Sequence, residues 1–226
     1  MLRAVLFDVD FTLVRPGPEL GGEGFRRAGE RHGLTLDAAR YEDARLAAIA
    51  DLQRHPELVH DEEVWFAFTE DIVRGMGGEP GRARACAVEL VREWERHENF
   101  FLYEDALPAL EAMRAHGLRI GLVSNGQRDL AEFAAHHRLD VDAAVGSRAH
   151  GWQKPHPSIF EAALEALGVA AAEAAMVGDS EEDDVAGARE LGMTAILVDR
   201  EGLYPETPNR IDTLLALPAA LGLPPR

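Results

Sequence analysis

Two carboxylates and a hydroxyl, Asp8, Asp10 and Thr12, follow directly on the apolar run Ala4-Val5-Leu6-Phe7. Alternate residues of an extended chain can share a side, so Asp8 and Asp10 can face one another's neighbourhood. Carboxylates held that close repel, and a bound divalent cation relieves the repulsion. Three more polar clusters carry chemistry-bearing groups. Ser124-Asn125-Gly126 follows an apolar run at 120–123, and Gly178-Asp179-Ser180 follows another at 175–177, with Glu181, Glu182, Asp183 and Asp184 behind it. Lys154-Pro155-His156-Pro157 opens a helical pattern, where the prolines restrict the backbone and suit a first turn. Asp8 and Asp179 can coordinate a hard cation, and Mg²⁺ favours a few carboxylates plus water and phosphate. Ser124 and the backbone N–H of Asn125 can donate to phosphate oxygens, and Lys154 adds one positive charge to an acidic site. Each cluster alone has an ordinary explanation: Ser-Asn-Gly makes turns, and acids at a helix start complement its dipole. It is the four together, in order, that point to one site.

The elements that must position these clusters are short apolar strands at 4–7, 120–123, 143–146, 175–177 and 195–198. Helical patterns lie between them: Leu107, Leu110 and Met113 on one face before Gly117; Ile159, Phe160, Ala163, Leu164 and Leu167 before Gly168; Val185, Ala188 and Leu191 before Gly192. Helix, glycine, strand is the punctuation of an α/β sheet with right-handed crossovers. In such sheets ligands bind beyond the carboxyl ends of the strands, where the clusters should converge. From Pro16 to about Phe101 no convincing strand is legible. Helices are predicted over 24–32, 37–53, 61–75 and 82–97, broken by His55-Pro56 and by Gly77-Gly78-Glu79-Pro80-Gly81. The expectation is an all-helical domain at 16–101, its core packed by Trp65, Phe66 and Phe68, inserted into an α/β domain made of 1–15 and 102–226. The apolar tail, 214–223, should pack on the sheet domain.

A chain of 226 residues with 46% hydrophobic content can bury a real core. Its 40 acidic residues against 23 basic ones give a net charge of -17, which argues against nucleic acid polymers and anionic membranes as partners. An anionic small substrate remains compatible, because a cation and one lysine reverse the local field. The single cysteine, Cys86, fits a reducing compartment and sits in a helical pattern as a small core residue. With no secretory leader and no apolar run approaching a membrane span, a cytoplasmic protein is expected.

The four clusters resemble the motifs of the haloacid dehalogenase-like hydrolase superfamily. Its Asp-x-Asp-x-Thr appears as Asp8-Val9-Asp10-Phe11-Thr12, its Ser after a strand as Ser124, its Lys-Pro as Lys154-Pro155, and its Gly-Asp with a following acid as Gly178-Asp179 and Asp184. The resemblance spans the chain, and the helical insertion stands where the family places its type-1 cap. Phe11 stands where many members have Gly, His156 where Asp is frequent, and Asp183 where Asn is common. The resemblance implies a Rossmann-like α/β fold and a Mg²⁺-dependent phosphatase. Asp8 would be the nucleophile, Asp10 the proton carrier and Lys154 the stabilising cation. Thr12, Ser124 and Asn125 would join Lys154 around the phosphate. Asp8, Asp10 through its carbonyl, and Asp179 would hold the metal, and Asp184 would serve the metal shell or bind Lys154. The cap would close over a small phosphorylated metabolite, in a monomer or homodimer. A phosphomutase uses the same residues. A 2-haloacid dehalogenase lacks an acid at position 10, because halide leaves without a proton. A catalytically idle binding protein on the same fold is the reading outside enzymes.

Overall fold

The computed structural model describes residues 1–52 and 54–225. The chain opens with strand β1 (Ala4–Phe7), and β2 (Val14–Pro16) leads into helices α1 (Gly22–Arg31), α2 (Tyr41–Ala50), α3 (Glu62–Gly75) and α4 (Pro80–Glu95). Strand β3 (Phe100–Leu102) returns, and it pairs with β2 in a two-stranded sheet. Then follow α5 (Ala106–Ala115), β4 (Arg119–Ser124), α6 (Leu130–His136), β5 (Ala143–Gly146), α7 (Ser147–His150), α8 (Pro157–Leu167), β6 (Ala174–Gly178), α9 (Gly187–Glu190), β7 (Thr194–Val198), β8 (Arg210–Ile211) and α10 (Leu217–Ala220). The chain divides into two compact units, one of residues 1–15 and 102–226 and the other of residues 16–101.

The first unit is a Rossmann-like α/β domain. Its sheet has the order β5-β4-β1-β6-β7-β8, and the pairs are parallel. All four residues of β1 are buried, as expected for a central parallel strand covered on both faces. On one face Leu6, Val123, Met176 and Leu197 pack with Ile159, Phe160, Ala163 and Leu167 of α8 and with Val185 and Ala188. The sheet order sets the site: β1 lies between β4 and β6, with Phe7 opposite Leu122 on one side and Val177 on the other. The chain therefore leaves adjacent strands at Asp8, Ser124 and Gly178, the switch point at which such sheets bind ligands.

The second unit is helical. Phe25, Leu34, Leu36, Tyr41, Ile72, Val73, Met76, Cys86 and Leu90 form its core. The Tyr41 hydroxyl donates to the Leu20 carbonyl at 2.9 Å. Cys86 is fully buried.

Several expectations need correction. Strands β2 and β3 edge the segment read as strand-free, and β8 is a strand of two residues; such short pieces give no period to read. The helix expected over 37–53 is a short 3₁₀ turn, Ala38–Arg40, followed by α2, and Gln53 lies outside the described residues. Trp65, Phe66 and Phe68 are half-buried; Phe68 packs against the core of its unit, Trp65 meets Phe68 edge to face with ring centroids 6.4 Å apart, and Arg84 lies 5.0 Å over the Phe66 ring. In α5 the buried face is Ala106, Ala109, Leu110 and Met113, and Leu107 points outward. Two small alanines complete the inner face with Leu110 and Met113, which the larger leucine at 107 obscured. The segment behind Asp179 starts with a wide turn, where the N–H of Val185 bonds the carbonyl of Ser180 at 3.2 Å, before α9.

This geometry separates two leucines in one helix. Leu110 is 4% exposed and Leu107 is 41% exposed. Truncating Leu110 to Ala should cost about 2–5 kcal/mol in urea unfolding. Leu107→Ala should stay within about 0.5 kcal/mol. Equal costs would contradict the observed face.

Candidate active site

Each acidic cluster enters from the end of a strand. The backbone N–H of Asp8 donates to the Val177 carbonyl at 2.9 Å, so the first residue past β1 is still held by the sheet. Its carboxylate accepts a hydrogen bond from Lys154 Nζ at 2.6 Å, and the same ammonium donates to Asp184 Oδ1 at 2.6 Å. The other Asp184 oxygen accepts from the Ser180 N–H at 3.1 Å. Lys154, Asp8 and Asp184 are all buried. Gly178 is required for this approach: a Cβ there would stand 2.1 Å from Asp184 Oδ2.

Lys154 is aimed by its main chain. The Asn125 side chain accepts from the Lys154 N–H at 2.7 Å and donates to the Lys154 carbonyl at 3.0 Å. A side-chain amide has both a donor and an acceptor and so can grip one residue at both ends. Asn125, whose backbone N–H is the group expected near phosphate, uses its side chain as the clasp between the loops after β4 and before α8. His156, in a position where the family has Asp, caps α8, its Nδ1 accepting from the Ser158 N–H at 3.2 Å. The Thr12 hydroxyl donates to Asp179 Oδ1 at 3.4 Å. Ser124 ends β4, buried, with its hydroxyl 3.5 Å from the Asn125 carbonyl.

Burial dominates the electrostatics. It pushes the Asp8 carboxyl up to about 7, with Lys154 opposing and Asp184 and Asp10 adding to the rise. Burial, then the charges of Asp8 and Asp184, holds Asp179 well above the usual carboxylate range. Asp184 is raised by burial despite Lys154. For Lys154 burial works against the charge, but Asp184 and Asp8 outweigh it and hold the ammonium above the usual lysine range. Three carboxylates, Asp8, Asp179 and Asp184, offer oxygens within 4.8 Å of one another, with one ammonium among them. A hard divalent cation fits that excess of buried oxygen charge. Both Asp184 oxygens are already engaged, which leaves Asp8 and Asp179 as the side chains suited to hold it.

Asp10 stands apart from that cluster. Its carboxylate pairs with the Arg128 guanidinium, and its Oδ1 is buried without a hydrogen-bond partner among the described residues. Arg128 is itself buried, and its guanidinium lies 4.9 Å over the Phe133 ring. Sequence reasoning did not single out Arg128, although a basic residue four positions after Ser124, in a loop leaving the same sheet edge, is a readable signal. It also passed over Arg200, which follows β7 as the other clusters follow their strands and donates to the Thr12 carbonyl at 2.8 Å.

Residues 2–192 match the haloacid dehalogenase-like hydrolase family. The chain belongs to that family. It is 30% identical to a glyceraldehyde 3-phosphate phosphatase of Methanopyrus kandleri, over 94% of this chain and 90% of the relative. It is 43% identical to a phosphoserine phosphatase of Thermus thermophilus, over 59% of this chain but only 53% of that protein, so the match spans about half of the relative's length. Among solved structures, a HAD phosphatase from Thermococcus onnurineus is 28% identical, with a TM-score of 0.68 over 98% of each chain. No described helix is long and apolar enough to cross a membrane.

The raised Asp8 carboxyl has a measurable consequence. The folded, metal-free protein keeps the Asp8 proton up to about 7, while the ordinary value is 3.8. Between these the folded state binds more protons than the unfolded, so this group's contribution to stability falls as pH rises. In urea unfolding with chelator, wild type should lose stability relative to Asp8→Asn as pH goes from about 4 to about 7. A pH-independent difference would show that Asp8 is ionised throughout.

Proposed function

We propose that this hydrolase is a Mg²⁺-dependent phosphatase that cleaves a small phosphorylated metabolite through an aspartyl-phosphate on Asp8. The observation that carries the reading is the Asp8–Lys154–Asp184 triad beside Asp179, with a second acid, Asp10, two residues after the nucleophile. The relatives named as phosphatases of glyceraldehyde 3-phosphate and phosphoserine support a small phosphate monoester as substrate. The single, buried Cys86 supports the cytoplasm as compartment.

Asp8 attacks phosphorus, and the bond from phosphorus to the ester oxygen breaks as the aspartyl-phosphate forms. Asp10 gives its proton to the departing oxygen, then takes one from the water that attacks the aspartyl-phosphate. Orthophosphate leaves and the Asp8 carboxylate is restored. Lys154 holds the Asp8 oxygen and balances the charge brought by the phosphoryl group. Thr12, Ser124 and the Asn125 N–H supply donors around the phosphate oxygens. Asp8, Asp179 and the Asp10 carbonyl would hold Mg²⁺, with Asp184 fixing Lys154 beside it. When bound, the cation offsets the repulsion between the Asp8 carboxylate and the phosphate and stabilises charge on the transferring group. An acid at position 10 suits an alkoxide leaving group, which needs a proton, and is of no use to a halide.

Phosphate release from p-nitrophenyl phosphate and a panel of phosphorylated metabolites in Mg²⁺ tests the reading. Asp8→Asn should abolish turnover while the variant remains folded; near-normal turnover would overturn the nucleophile. Asp10→Asn should slow alkyl phosphates by roughly 10²–10⁴-fold and aryl phosphates less, since a phenolate leaves without help. An equal loss on both would remove Asp10 from the acid role.

A further inference from the structure

The turn that carries the nucleophile and its acid is held from outside. Within it, the N–H groups of Leu13 and Val14 bond the Val9 carbonyl at 2.9 and 3.0 Å, and the Phe11 N–H bonds the Val14 carbonyl at 2.7 Å. Phe11 sits at φ 61, a left-handed conformation that is unfavourable for a residue with a Cβ. Such a conformation persists only where the surroundings over-determine it. The Thr12 carbonyl is the anchor, and Arg200 Nη2 donates to it at 2.8 Å.

Arg200 is in turn held through both terminal nitrogens, while its Nε is buried without a hydrogen-bond partner among the described residues. Its Nη1 and Nη2 donate to the two Asp105 oxygens, each at 2.9 Å, in a bidentate fork. Asp105 Oδ2 also accepts from the Thr213 hydroxyl at 2.7 Å and from the Leu214 N–H at 2.9 Å, which ties the fork to the segment entering α10. The guanidinium lies 3.8 Å over the Tyr103 ring, and the Tyr103 N–H donates to the Leu13 carbonyl at 2.9 Å. Only a planar guanidinium can fork to Asp105 and reach Thr12 at once; an ammonium has the charge without the fixed directions. At the other end of Thr12, its buried hydroxyl faces Asp179.

We propose that Arg200 is a positioning residue for the phosphoryl-transfer site, clamped by Asp105 and the C-terminal segment and acting through the Thr12 carbonyl. This rests on the phosphatase reading above. Arg200 touches neither Asp8 nor Asp10 in any observed contact; it sets the turn from which both project. Misplacing that turn should cost transition-state alignment and spare ground-state binding.

The test compares wild type with Arg200→Met, Arg200→Lys and Asp105→Asn, using p-nitrophenyl phosphate with saturating Mg²⁺, alongside thermal unfolding. In Arg200→Met, kcat should fall roughly 10–10²-fold with KM within about threefold of wild type. Arg200→Lys should recover only part of the loss, and millimolar methylguanidinium should raise kcat of Arg200→Met but not of wild type. Asp105→Asn should lower kcat in the same sense, and it answers the question if Arg200→Met does not fold. Unchanged kcat in a folded variant, a loss confined to KM, or full activity in Arg200→Lys would overturn the clamp. Wild type that releases no phosphate from any ester would instead overturn the phosphatase reading.

Discussion

A single ammonium, Lys154 Nζ, is shared by two buried carboxylates at 2.6 Å each, and the site is organised around that sharing. Two buried acids share one buried base, so the ionised form of the second acid has no countercharge of its own. Removing one partner of such a set strands a buried charge, at a typical cost of about 3–5 kcal/mol. The surrounding structure is therefore committed to keeping all three in place. Gly178 leaves room for Asp184, the Ser180 N–H holds its second oxygen, and Asn125 grips the backbone of Lys154 at both its N–H and its carbonyl.

The residual charge is also what makes the site useful. Burial raises Asp8, Asp179 and Asp184, so the protein holds carboxylates whose ionised forms are disfavoured without a further cation. In the proposed reading, a divalent ion at Asp8 and Asp179 would favour ionised Asp8, the form a nucleophile needs. Asp10 is treated differently. It lies outside the carboxylate cluster and is paired with Arg128, so the two acids of one Asp-x-Asp string have separate partners and separate environments. In the phosphatase reading proposed above, that separation would let one act on phosphorus and the other on protons.

Much of this was legible. The strand at 4–7 stands where its apolar run puts it, because fully buried parallel strands are continuous in apolar residues, and the edge strand at 143–146 also coincides with its apolar run. Glycines 117, 168 and 192 do stop their helices, each in a left-handed conformation. What was misread follows from weak periodicity. In α5 Ala106 and Ala109 join Leu110 and Met113 on the inner face in place of Leu107, and β2, β3 and β8 are too short to show alternation. The aromatic residues of α3 looked like core because of their size, yet Phe25, Tyr41, Ile72, Val73, Met76 and Leu90 are buried in that core and Phe68 packs against it half-buried.

Sequence alone determined which groups are present and where they leave their strands: Asp8, Asp10, Ser124, Lys154 and Asp179 are each tied to a local apolar run or helix start that ordinary propensity explains. Tertiary structure decided which group pairs with which. Arg128 meets Asp10 across 118 positions, and Arg200 meets Thr12 across 188. Their positions after β4 and β7 make both arginines candidates, but no local pattern names the partner of either. Each acquires its role only when the parallel sheet brings the carboxyl ends of β1, β4 and β7 to the same edge, since ion pairing depends on distance in space and not along the chain.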